Sequence, residues 1–144
     1  MLFRTHLIIA LFFILLFFNS ASLIFIIIFL FASIIPDIDS PFSKVGKHFR
    51  FFNFFMKHRG IIHSFTFLFL IGIFLFFFAR EILFPFVFGY SLHLILDGIT
   101  IQGIRPFYPI RFRIGGFMKT GKIIENVFFI VFLLADLFLL FKLF

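Results

Sequence analysis

The sequence predicts an all-α fold, a polytopic transmembrane helical bundle of about five spans. Three observations carry that expectation. Hydrophobic residues make up 63% of the 144 and the mean hydropathy is +1.25, where a soluble domain is nearer half apolar. The apolar residues gather into runs too many and too long for one globular core, so the bilayer is their natural solvent. The basic residues fall almost wholly on one side of those runs, as the positive-inside rule requires.

Residues 7–18 form the first apolar run and residues 21–35 the second, parted by Asn19-Ser20. As one helix, residues 7–35 would reach about 43 Å at ~1.5 Å per residue, against a hydrocarbon core of about 30 Å. As a hairpin, each arm is roughly 18–22 Å long, which is tolerated where the bilayer thins or other helices wrap the pair. Arg4, the first run and Ser20-Ala21-Ser22 also imitate a signal peptide. A second apolar run follows at once, so cleavage would still leave a membrane protein; an uncleaved segment is expected, partly because it keeps His6, a useful ligand type.

Residues 36–60 make a basic and aromatic connection suited to a short interfacial helix. Residues 61–79 are the third run, long enough to span. Arg80-Glu81 is a tight charged break before the fourth run at 82–96. Residues 97–122 form a polar loop containing Gly and Pro, and residues 123–141 are the last run, closed by Lys142. No repeat divides the chain, so residues 1–144 are read as a single domain.

With five spans, the N-terminus and the loops 36–60 and 97–122 share one side. Arg4, five cations in the first loop and five in the second put eleven of the 13 Lys and Arg there, against Arg80 and Lys142 opposite. That side is the cytoplasmic one. The net charge of +7 is therefore read as topology, and nucleic acid is not an expected partner.

The same topology gathers the ligand-type residues. His6 starts the first run, Asp37 and Asp39 end the second, His58 and His63 flank the third, and His93 and Asp97 end the fourth. The candidate active site thus lies at the cytoplasmic face. Taken singly these residues have ordinary explanations. His93 and Asp97, spaced i,i+4 on one helix face, suit a satisfied buried helix end as well as a metal. Asp37 and Asp39, bracketed by Pro36 and Pro41, suit a solvated turn; in an extended segment one would ligate while the other bridges a second ion or orients a histidine. His58-Arg59-Gly60 and His63-Ser64 suit a basic interfacial anchor, and His6 a capping residue.

Together they suit a metal, because ionisable groups at a membrane edge are costly unless something offsets their desolvation. With no Cys, imidazole and carboxylate ligands point to Zn, with Mn or Fe as alternatives, in one or two ions. His48 and Arg80-Glu81 are read as interfacial charges. Asp136, well inside the last run, needs a partner that the sequence does not name.

His6, then Pro36-Asp37-Ile38-Asp39-Ser40-Pro41, then His58-Arg59-Gly60-Ile61-Ile62-His63-Ser64, then His93-Leu94-Ile95-Leu96-Asp97-Gly98-Ile99-Thr100 with Gly103 and Pro106 resembles the YdjM-like family. Its members are described as inner-membrane-associated metal-dependent hydrolases and as LexA-binding. The likeness runs through residues 6–106, with Ile62 where the family commonly has Thr. A fainter similarity is to zinc-dependent phospholipase C and P1-type nucleases, which use a comparable order of His and Asp ligands; this chain lacks their second His-x-x-x-Glu pair.

These readings converge on an inner-membrane hydrolase attacking a phosphoester, in a small-molecule, lipid or lipid-linked substrate, with membrane lipids around it. His6, Asp37, Asp39, His58, His63, His93 and Asp97 are the expected metal ligands. Arg59, for the substrate anion, and Asp39 are the expected catalytic residues, with Ser64 and Thr100 as supporting donors. The rival reading is a non-catalytic adaptor that binds a cytoplasmic regulatory protein through its basic loops.

Overall fold

The structure, a computed structural model, describes residues 1–37 and 60–143, together with the backbone of Ile38 and Asp39. Five α-helices stand in the described residues: α1 (Phe3–Phe17), α2 (Leu23–Ala32), α3 (Phe65–Phe78), α4 (Arg80–Ile99) and α5 (Ile123–Leu143). A 3-10 turn at Ile35–Asp39 follows α2. No strand occurs among the described residues, only isolated bridges from Thr100 to Met118 and from Ile104 to Ile114. Two helices, α4 with 20 residues and α5 with 21, are long and apolar enough to cross a membrane.

The polar break at Asn19-Ser20 resolves as a hairpin. Ala21 N donates to Phe18 O, and Ser22 caps α2 by accepting from Phe25 N at 3.2 Å, the role for which short hydroxyl side chains suit a helix start. The arms are short, 15 and 10 residues. The third run gives a 14-residue helix, shorter than its apolar length, because residues 60–63 turn before Ser64 caps α3. Residues 37 and 39 lie in a helical turn and not in an extended segment; Pro36 takes its second position, where the missing N–H is not needed.

Helix α4 is the centre, packing against α2, α3 and α1, while α5 packs along α1. One apolar cluster joins Ile9, Ala10 and Ile14 of α1 to Phe29, Leu92, Leu96 and Met118; another joins Ala32, Leu68, Tyr90, Leu94 and Ile104. Gly89 makes the α2–α4 approach close: a Cβ there would lie 2.3 Å from Phe29 O. The outward faces stay apolar, with Phe77 73% and Phe141 81% exposed, which suits lipid contact. Asp136 is buried in α5, and neither of its carboxylate oxygens has a hydrogen-bond partner among the described residues.

Candidate metal centre

The i,i+4 spacing on α4 puts Gly89, His93 and Asp97 on one face, and that face meets α1, α2 and the turn before α3. His93 and Asp97 are fully buried, as is His63, while His6 is 1% and Asp37 7% exposed. Asp97 stands in the middle. Its Oδ1 accepts from the Met1 α-ammonium group and lies 3.4 Å from His6 Nε2. Its Oδ2 lies 3.5 Å from His63 Nε2 and 3.9 Å from His93 Nε2. Asp37 Oδ1 is 4.0 Å from His93 Nε2.

Two overlapping triads result, His6–Asp37–His93 and His63–His93–Asp97, each offering ligand atoms within 4.8 Å of one another. His93 Nδ1 faces Ser33 O at 2.7 Å. A carbonyl only accepts, so Nδ1 carries the proton and Nε2 turns its lone pair to the cluster. This is how a ligating histidine is usually held by a backbone carbonyl. The ring of His93 stacks on His6 and meets His63 edge-on. Burial raises the Asp37 carboxyl above its ordinary range, opposed by His6 and reinforced by Asp97.

The donor set fits a divalent ion. Neither nitrogen of His6, nor His93 Nε2, has a hydrogen-bond partner among the described residues. Buried polar atoms of that kind are costly unless something ligates them. Nitrogen and carboxylate donors without thiolate suit Zn, Mn or Fe.

Of the residues expected from sequence, His6, Asp37, His63, His93 and Asp97 come together. The Asp39 side chain, His58 and Arg59 lie outside the described residues, as do Ser40, His48 and the basic stretch 44–57. Ser64 and Thr100 are capping residues: Ser64 Oγ accepts from Phe67 N, and Thr100 Oγ1 donates to Asp97 O at 2.7 Å. The sequence reading missed Glu125. It is fully buried at the start of α5, where its carboxylate accepts from Leu2 N at 2.6 Å and Gly121 N at 2.5 Å. It also missed Tyr90, whose hydroxyl donates to Ile62 O at 2.6 Å and so holds the turn carrying His63. An acidic residue in a first helical turn signals only a dipole contact, and a tyrosine in an apolar run signals only packing.

A Bacillus subtilis (strain 168) protein named "Uncharacterized protein YvsG" is 32% identical over 108 residues, covering 66% of this chain and 64% of that one. The match thus spans less than two thirds of that relative's length. No solved structure matches the chain. The family described as YdjM inner membrane protein matches residues 1–142. With nearly its whole length matched, the chain belongs to the YdjM inner membrane protein family.

Proposed function

We propose that this chain is a multi-pass membrane hydrolase, with the metal centre on the cytoplasmic side and a phosphoester, lipid or lipid-linked, as substrate. The observation that carries the reading is the meeting of His6, Asp37, His63, His93 and Asp97, drawn from distant parts of the chain, in a buried polar cluster inside an apolar molecule. Family membership and two helices of spanning length support the membrane setting. The eleven cations of the N-terminus and the two long loops support the orientation.

These five residues would hold a divalent ion, Zn being expected, with Asp39 and His58 as further candidates. When bound, the ion supplies Lewis-acid neutralisation of developing negative charge and makes water nucleophilic at neutral pH. The chain supplies orientation. Ser33 O fixes the His93 tautomer, Asp97 faces three imidazoles, and the Tyr90 hydroxyl steadies the turn before His63. Arg59 is proposed to pair with the substrate phosphate in a fork of N–H donors, and Asp39 to accept or direct a proton beside it.

Elemental analysis of detergent-purified protein tests the reading, with Asp97→Ala beside the parent and hydrolysis of phosphodiester and phospholipid substrates measured on both. One or two equivalents of Zn, Mn or Fe, lost with activity in the variant, are expected. Undiminished metal content in Asp97→Ala sinks the site, and metal without hydrolysis of any such substrate sinks the reaction.

A further inference from the structure

The loop between α4 and α5 presents a surface that the metal centre does not use. From Gly98 to Ile124 the chain carries five cations and no acid. Ile110, Phe112, Ile114 and Phe117 interleave there with Arg111, Arg113 and Lys119, and those four apolar side chains are 46–68% exposed. Their backbone is held. Ile104 and Ile114 exchange both backbone bonds, at 2.8 and 3.0 Å, and Ile101 N donates to Met118 O at 2.9 Å. Met118 is fully buried, and Arg113 donates to Ile101 O at 2.7 Å.

An ordered loop that keeps large apolar side chains outward leaves them wet in water, whereas its cations are costly in hydrocarbon. The headgroup layer of a bilayer suits both, since apolar and aromatic groups reach the acyl boundary while cations stay at the phosphates. An anionic headgroup also complements a loop whose charges are all positive. We propose that residues 109–119 lie in the headgroup layer and bind anionic phospholipid headgroups. The loop begins directly after the helix that carries Asp97, so this seat sets the metal centre at headgroup depth. The proposal does not depend on hydrolysis or on a bound ion.

The chain has no Trp, so Phe112→Trp or Phe117→Trp alone reports the loop. Each full-length variant is placed in nanodiscs of phosphatidylcholine with or without phosphatidylglycerol. Quenching by shallow-brominated forms of either lipid is compared with quenching by iodide. The expected result is blue-shifted emission, little iodide quenching, and stronger quenching by brominated phosphatidylglycerol than by brominated phosphatidylcholine at equal mole fraction. Arg111→Gln and Lys119→Gln should each lower that preference by about fivefold. Red-shifted, iodide-quenched emission at both positions overturns the seat, and so does protection that arises only on adding soluble cytosolic protein. Equal quenching by the two lipids, unchanged in the Gln variants, overturns the headgroup preference.

Discussion

His6 and His93 lie face to face, ring centroids 4.0 Å apart and planes 10° from parallel. An imidazole ligates in its own plane, so two parallel rings do not share one ion without a turn. His93 is fixed by Ser33 O, whereas neither nitrogen of His6 has a hydrogen-bond partner among the described residues. His6, held among the described residues only by the 3.4 Å contact of its Nε2 with Asp97 Oδ1, is therefore the ring expected to turn. His93→Ala, which removes the ligand common to both triads, should abolish metal retention. His6→Ala leaves the His63–His93–Asp97 triad whole and should weaken retention only partly, by roughly the 10–100-fold that loss of an outer partner costs. Competition titration against a chromogenic chelator measures both, and equal losses would contradict the asymmetry.

Removing the ion should also destabilise the fold. A ligand at 100 times its Kd adds about 2.7 kcal/mol. Chelation should lower the thermal midpoint of the parent protein in detergent and leave that of Asp97→Asn unchanged. Parallel shifts in both would separate stability from the cluster.

Gly89→Ala should bring α2 and α4 into collision, because its Cβ would stand 2.3 Å from Phe29 O. Overpacking of this kind costs about 1–3 kcal/mol, and the shift would loosen Ser33 from His93, lowering metal content as well. Gly72→Ala is the control: its Cβ meets only Val87 Cγ2, at 3.9 Å. Thermal unfolding and metal analysis of the pair decide the matter.

Glu125→Ala should leave two N–H groups, of Leu2 and Gly121, without their carboxylate acceptor. Both bonds are only part-buried and Gly121 is exposed, so water takes over some of the lost bonding. The variant should be destabilised by about 1–3 kcal/mol in all, and Glu125→Gln by less, because its amide oxygen still accepts. Limited proteolysis at the N-terminal segment reads this directly.

The all-α class and the meeting of five of the seven ligand-type residues were legible in the chain; the Asp39 side chain and His58 lie outside the described residues. Asn19-Ser20 and Arg80-Glu81 fall at or beside real breaks, and the hairpin that returns Asp37 to His6, which length alone left open, follows from the one-sided charge count and the clustering of His and Asp. The i,i+4 spacing of His93 and Asp97 places both correctly. Three kinds of detail were not legible. Helix length in an apolar run is set by where a cap falls, so α3 starts only after Ser64. Contacts to backbone carbonyls, such as His93 to Ser33 and Tyr90 to Ile62, depend on how helices cross and leave no mark in residue type. Glu125 bonds a residue 123 positions away, a separation over which local pattern carries no signal.

The bond from Glu125 to Leu2 also has a meaning in time. At ~5–20 residues per second of synthesis, Glu125 emerges roughly 6–25 s after Leu2. Throughout that interval the first helix is already made while the carboxylate that anchors its start does not yet exist. His6, Asp37 and His63 meet His93 and Asp97 once α4 has followed, and the anchor on the first helix comes later still, with the final helix. Anchoring of the polar cluster, as distinct from its assembly, is thus a late event in biogenesis, and a chain stalled before α5 would hold all five residues without the carboxylate that fixes the start of α1.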